Sequence, residues 1–356
     1  MRIKRLRIKN FRSIKEAELF PQEHNALLGP NNAGKTTLLE SLALLLNPEL
    51  PVAGHVIDEN DFYLREYSLV AATASASVSE TTEGPTVEGG DDAPPARAPE
   101  IRIEAVLSDL SEEDEDAFRR NLVVWQEDTK VVIDAVDRGA DPFANGEFAI
   151  RIVFEGWYDE AEDDFFHKTF FLPVDTSDRD QCPTFTRDDK RRVGFLIYRD
   201  FRASNRPTTL EPNLIFGRLL QSQGVVPRHF DDVLSQVSGA LAPMLSEADF
   251  ASIINSYKAE LERFLYLSFT NPSSINFELT DRTRSQIKAT AQLYVSDLIG
   301  LPLQKMGAGT RSLATLATLT LIMRRRGRGI LALEEPESFL FPHAQRRIID
   351  ECLGLA

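Results

Sequence analysis

The sequence is short of the features that would place it in a membrane or an oxidising compartment. No apolar run approaches the roughly 18 residues a helical span requires. The opening Met1-Arg2-Ile3-Lys4-Arg5-Leu6 alternates charge with apolar residues and so lacks the apolar stretch of a secretory signal. The expectation is a cytoplasmic protein with no membrane partner. Cysteine is nearly missing: Cys182 and Cys352 lie far apart without metal-ligand spacing, as suits reduced structural thiols. Positive charge is in deficit, with 40 Lys and Arg against 55 Asp and Glu and a formal net charge of -15. That balance excludes a protein that coats nucleic acid with its whole surface, but not one with a local basic face. Three basic clusters stand against it: Arg2 to Arg12, Lys190-Arg191-Arg192, and Arg324-Arg325-Arg326-Gly327-Arg328. Taken singly, each reads first as a solvated face or a helix end that favours cations.

What is present is globular in composition, 42% hydrophobic and 27% charged over 356 residues, enough for one large α/β domain with insertions or for two domains. The chain is organised around Leu27-Leu28-Gly29-Pro30-Asn31-Asn32-Ala33-Gly34-Lys35-Thr36-Thr37-Leu38-Leu39-Glu40, which fits G-x-x-x-x-G-K-[ST] at every fixed position. A loop that curls around phosphates needs the backbone freedom of Gly29 and Gly34, and amides aimed inward at the mouth of a helix whose dipole favours negative charge. Lys35 would reach the β and γ phosphates, and the Thr36 hydroxyl would hold Mg²⁺. An apolar strand over residues 25 to 28 and a helix from Thr37 onward are the context the motif requires.

Around this loop, Ile3, Leu6, Ile8, Phe11, Ile14, Ala17 and Leu19 alternate as two short strands about a turn at residues 10 to 13. Residues 81 to 98, crowded with Gly, Pro, Thr and acids, read as a flexible loop. Order returns in the alternating strand of residues 101 to 107, and Ser111-Glu112-Glu113-Asp114 reads as a helix start. Strand-like runs over 122–125, 130–135, 149–154 and 165–172 suggest an antiparallel sheet beside the nucleotide core. Trp157, Phe165, Phe166, Phe170 and Phe171 read as core residues more than as a base-stacking platform. A buried strand over 193–198 leads to Arg199, Arg202 and Arg206, where an arginine could meet a phosphate. Three-and-four spacing makes 210–270 mostly helical, a packed arm or a partner-binding face.

Two later stretches add chemistry. Met306-Gly307-Ala308-Gly309-Thr310-Arg311-Ser312-Leu313 opens a long helix, which runs into Gly329-Ile330-Leu331-Ala332-Leu333-Glu334-Glu335-Pro336-Glu337. An apolar strand ending in two carboxylates suits a Mg-nucleotide site. Glu334 can orient the metal through its water, and Glu335 can take a proton from the attacking water.

The three stretches stand in the order found in ABC-type ATPase heads such as RecF and SMC proteins, and within that group the chain most resembles the ATPase half of the OLD-family (overcoming lysogenisation defect) nucleases. The likeness lies in residues 29–37, in Asp61-Phe62, in the strand 101–107 followed by Ser108-Asp109-Leu110-Ser111, in residues 199–206, in Gly307-Ala308-Gly309, and in Leu333-Glu334-Glu335-Pro336-Glu337-Ser338-Phe339-Leu340-Phe341-Pro342. It implies an α/β, ABC/RecF-like P-loop head with a mixed central sheet, an accessory antiparallel sheet and a helical insertion. Residues 1–208 would form the first ATPase lobe, 209–272 a dimerisation arm, and 273–356 the second lobe. Gly29, Pro30, Asn31, Asn32, Ala33, Gly34, Lys35, Thr36 and Thr37 would be the Walker A loop. Glu334 and Glu335 would be the Walker B pair, with Thr36 and Glu334 toward the metal, and Gly307, Ala308, Gly309 and Ser312 the signature that contacts the γ-phosphate of a second subunit. The resemblance thus implies ATP, Mg²⁺, an ATP-dependent homodimer and DNA as a partner.

The chain departs from the resemblance twice. Leu340-Phe341-Pro342 replaces a common Leu-His-Pro. His343 comes too early for the switch histidine, and no acidic cluster of the TOPRIM nuclease kind follows Glu337, so both are expected outside these residues. A RecF- or SMC-like DNA-repair clamp and a phage-defence ATPase scaffold with a separately encoded effector are the competing readings.

Overall fold

The computed structural model describes residues 1–30, 32–50, 53–54, 56–68, 98–134, 146–172, 180–198, 248–265, 274–278, 292–296, 300–336, 338, 340 and 342–354. The chain divides into two compact units, Met1–Phe195 and Leu196–Ala356.

In the first unit, the alternation at the N-terminus folds as expected into a hairpin of β1 (Arg2–Phe11) and β2 (Ile14–Leu19), closed by Arg12 and Ser13. Helix α1 (Lys35–Leu46) follows the glycine loop, and then β3 (Ala53–Gly54), β4 (Ile101–Ser108) and α2 (Glu112–Phe118). The start of α2 is fixed by Ser111 and Asp114, each side chain bonding the other's backbone amide, the reciprocal cap that the local sequence implies. Strands β5 (Leu122–Gln126), β6 (Val131–Asp134), β7 (Gly146–Asp159) and β8 (Asp164–Phe171) match the four strand-like runs. Helix α3 (Arg187–Val193) ends at the left-handed Gly194, and β9 (Phe195–Tyr198) begins directly after it.

The strands of this unit form one sheet in the order β2-β1-β4-β7-β5-β6, with β8 on β7 and β3 on β8, every described pair antiparallel. Strand β7 organises it. Its fourteen residues carry β4 on one edge and β5, then β8, in succession on the other. The strands expected as an accessory sheet are therefore continuous with the N-terminal hairpin. Residues 25 to 28, expected as a third strand, form none: Leu27 is 41% and Leu28 91% exposed. Both edges of β1 are already taken by β2 and β4, so the segment has no ladder to join there. Trp125 packs with Val106, Val123, Val132 and Ala149, while Cys182 is buried with Val153, Phe170 and Leu172. Phe170 and Phe171 are core as expected. Trp157, Phe165 and Phe166 are only half-buried, with Phe165 among the rings of Phe62, Tyr67 and Tyr158.

The second unit contains α4 (Ala248–Leu265), β10 (Ser274–Glu278), β11 (Gln292–Ser296), β12 (Gly300–Pro302), α5 (Ala308–Arg326), β13 (Ile330–Leu333) and α6 (Pro342–Leu353). Strands β10, β11 and β12 form an antiparallel sheet, and β13 pairs with β9. Tyr257, Leu261 and Leu265 of α4 close on Leu313, Leu316 and Ala317 of α5, and Ala344 and Ile348 of α6 complete the core. The described part of the expected helical insertion, α4, is helical. The remainder of that insertion, the flexible loop through residue 97 and the arginines of 199–206 lie outside the described residues.

Candidate nucleotide site

Gly34 caps the N-terminus of α1 at φ 84°, a conformation glycine adopts without strain. No side chain caps the first amides of the helix at the mouth of the loop. The Ala33 amide donates to the Pro30 carbonyl at 3.2 Å, which closes the turn. The Lys35 ammonium lies across the loop, donating to the carbonyls of Gly29 at 2.6 Å and Pro30 at 2.8 Å. Thr36 is exposed, and the Thr37 hydroxyl is 3.1 Å from that of Ser13. An uncapped helix mouth, an ammonium at the loop and an exposed hydroxyl fit an anionic phosphate with its metal. Gly29, Pro30, Asn32, Ala33, Gly34, Lys35, Thr36 and Thr37 are thus brought together, while Asn31 lies outside the described residues.

The hairpin turn pins this loop, which sequence reasoning missed. Arg12, at φ 49°, donates its backbone amide to the Asp61 carbonyl at 2.8 Å and its Nε to Asp61 Oδ1 at 2.7 Å, and its guanidinium pairs with Glu40 of α1. A bridge from Phe11 to Phe62 runs alongside. Along the sequence Arg12 stands out only as part of a basic run and Asp61 only as part of a likeness. The turn that presents Arg12 was the available signal.

The acid pair lies at the end of β13 in the second unit. The Glu334 amide donates to the Tyr198 carbonyl at 2.9 Å, which extends the β9 contact by one residue. Glu334 is half-buried. Glu335 is exposed and held at φ 45°, a left-handed conformation that costs a non-glycine residue about 1 kcal/mol. Ser338 fixes it twice, by its amide to the Glu335 carbonyl at 2.9 Å and its hydroxyl to Oε2 at 3.2 Å.

The glycine turn precedes α5. Gly307 caps that helix at φ -58° and ψ 157° without a side-chain cap, and a Cβ placed on it would meet nothing within 4 Å. Ala308 and Gly309 form the first turn, half-buried. Ser312 requires correction. Expected at a partner's γ-phosphate, it is 0% exposed, with its hydroxyl bonded to that of Tyr198 in the core of its own unit. Helical geometry turns it inward with Leu316 and Leu319, so the open mouth comprises Gly307, Ala308 and Gly309.

Many residues of the basic clusters have acidic partners. Arg2 pairs with Glu23, Lys4 with Glu147, Arg5 with Glu104, Arg7 with Glu18, Lys9 with Glu16, and Arg12 with Asp61 and Glu40. Burial works to raise the Glu104 carboxyl, but Arg151 and Arg5 hold it below the usual range. Lys190 is fully buried against the Leu44 carbonyl, and Arg191 and Arg192 pair with Asp188 and Asp114. Arg324 joins Glu260 and Glu351, and Arg325 donates to Ser256. Among the described residues no group of three or more His, Cys, Asp or Glu could hold a metal ion, and no helix is long and apolar enough to cross a membrane.

The sequence matches the family described as AAA ATPase domain over residues 1–120 and 222–356, which contain both the glycine loop and the acid pair. No curated protein matches it. Similar solved structures include an Smc head domain with an extended coiled coil bound to the C-terminal domain of ScpA derived from Pyrococcus furiosus, at 13% identity and TM-score 0.48 over 99% of this chain and 86% of that one. The SmcHead bound to the C-winged helix domain of ScpA gives 13% and 0.46 over the same shares. RecF with ATP, a recombination mediator of the RecFOR pathway, gives 12% and 0.43 over 98% and 88%.

Proposed function

The chain belongs to the AAA ATPase domain family, and from that premise we propose that it is the ATP-hydrolysing head of an OLD-type ATP-dependent DNA endonuclease, its nuclease domain lying outside these residues. Family membership implies ATP binding. The loop of residues 29–37 cradles the phosphates, Lys35 neutralises their charge, and Thr36 and Glu334 hold the metal. Mg²⁺ supplies charge neutralisation at the transferred phosphoryl group and needs only one or two protein ligands beside the phosphates, so a dedicated cage is unnecessary. Glu335 accepts the proton of the attacking water, and the γ-phosphoryl group leaves as inorganic phosphate with ADP behind.

Gly307, Ala308 and Gly309 offer the open N-terminus of α5 to the nucleotide of a second copy, and residues 209–272 supply the dimerisation arm. The single observation that carries hydrolysis, beyond binding, is Glu335: exposed just past the end of β13, held in a left-handed backbone, and hydrogen-bonded by Ser338. Replacing Lys35 by Ala is expected to abolish nucleotide binding. Glu335→Gln is expected to keep binding, lower turnover by roughly 10²–10⁴-fold as loss of a general base does, and accumulate an ATP-bound dimer by light scattering. ATP turnover at the normal rate in Glu335→Gln would overturn the role assigned to it.

A second reading, an ATPase scaffold with a separately encoded effector, draws on the ion pairs that engage the run Arg2 to Arg12 and Arg191, Arg192 and Arg324. DNA binding that rises with ATP favours the nuclease head or a RecF- or SMC-like clamp. Its absence, with turnover intact, favours the scaffold.

A further inference from the structure

Tyr198 holds two parts of the second unit at once. It is the last residue of β9, 3% exposed, and packed in the core that includes Leu196, Leu313 and Ala314. Its carbonyl accepts from the amide of Glu334, the first residue beyond β13, at 2.9 Å. Its hydroxyl bonds the buried hydroxyl of Ser312, the fifth residue of α5 and one turn from Gly307, Ala308 and Gly309. Acid pair and helix mouth are therefore tied through one rigid side chain and one peptide group.

We infer that Tyr198 is a positioning residue that couples engagement at the mouth of α5 to the placement of Glu334 and Glu335. The inference rests on the proposed function, in which the mouth of α5 serves a partner's nucleotide while the acid pair serves the chain's own. A displacement of the first turn of α5 moves Ser312, and the hydrogen bond passes that displacement to the peptide on which Glu334 hangs. Close-packed cores transmit such shifts because they are not freely deformable. The alternative is an ordinary buried hydrogen bond that stabilises the unit and leaves chemistry alone.

The two roles separate in a double-mutant cycle of Tyr198→Phe and Ser312→Ala. The phenyl ring fills the same space, and the serine hydroxyl left behind can turn to a carbonyl of its own helix, so Tyr198→Phe is expected to fold. Ser312→Ala breaks the same bond from the other side should it not. Steady-state ATP turnover, equilibrium binding of ATP and thermal unfolding are measured on each variant with the full chain. A coupling role lowers kcat about tenfold in either single variant, leaves the ATP dissociation constant within about twofold because Lys35 and its loop are untouched, and gives a double variant no slower than the slower single. Turnover that merely follows the folded fraction, or single losses that add, overturns the inference. Glu335→Gln run beside these variants separates the two failures: if it is inactive while Tyr198→Phe is fully active, only the coupling falls. If Glu335→Gln hydrolyses normally, the function itself falls and the coupling with it.

Discussion

Lys190 offers a sharp test of how α1 is held. Its side chain lies fully buried on α3 with the ammonium 3.2 Å from the Leu44 carbonyl, near the C-terminal end of the helix that opens at the phosphate loop. Burial pushes the amine from 10.5 down to about 8. The unfolded chain keeps the higher value, so between about pH 8 and 10.5 the unfolded state holds a proton that the folded state has released, and stability rises with pH across that window. Each pH unit across it is worth about 1.4 kcal/mol, so the full rise amounts to about 3 kcal/mol. Below pH 8 both states are charged and the cost of burying the charge is fully present. Lys190→Met removes the titration while filling the same volume, and it forfeits one hydrogen bond worth about 1.5–3 kcal/mol because its donor is charged. The assay is urea unfolding of both proteins at pH 7.5 and pH 10.5, followed by tryptophan fluorescence. Both tryptophans, Trp125 and Trp157, lie in the first unit, so the signal reports that unit alone. Other lysines and tyrosines titrate in both proteins and cancel in the difference. The wild type is expected to gain on the variant by about 2–3 kcal/mol from the lower to the higher pH. A stability difference that stays constant with pH would refute the reasoning.

Gly34→Ala places a Cβ at φ 84°, 3.4 Å from the Ser13 hydroxyl. It is expected to cost about 1–2 kcal/mol in the same fluorescence assay, from left-handed strain, and to weaken ATP binding in a nucleotide titration. Arg324→Met removes the ion pairs to Glu260 and Glu351 and leaves both carboxylates to Arg263. The Glu260 carboxyl is already raised by burial against the pull of Arg263 and Arg324, so it rises further, and the second unit is expected to lose about 2 kcal/mol by far-ultraviolet circular dichroism. Lowering the pH through that raised value should recover part of the loss, because the folded state then binds the proton more tightly than the unfolded one.

Local signals were legible because local physics decides them. The caps at Ser111 and at Gly34, the alternation of β1 and β4 and the glycine turn ahead of α5 depend on neighbours a few residues apart. Partners far apart in sequence were not. Arg12 meets Asp61 across 49 residues, and Tyr198 meets Ser312 across 114. The strand expected before the phosphate loop followed from two leucines, but a strand also needs a free edge, and sequence pattern carries no record of which edges are taken. Ser312 is the opposite case. It stands four residues before Leu316 and seven before Leu319, on the apolar stripe of its helix, so its burial was readable from spacing and was overridden by the resemblance.

The basic run from Arg2 to Arg12 shows why charge along a chain differs from charge on a surface. In the hairpin register Arg7 faces Glu18 and Lys9 faces Glu16, and Arg7 faces Glu104 on the other edge. On β2 the acids answer Arg7 and Lys9 with the same period, while on β4 Glu104 stands opposite Arg7 and Arg102 opposite Lys9. Each oppositely charged pair contributes about 0.2–1 kcal/mol. That register carries Arg12 and Ser13 to the positions where they meet Glu40, Asp61 and Thr37 at the start of α1. Arg12 of this hairpin thus serves the phosphate loop by fixing the turn beside it, while Arg2, Arg7 and Lys9 keep partly exposed side chains beside their acidic partners, pairs of the weak surface kind that leave the turn to Arg12.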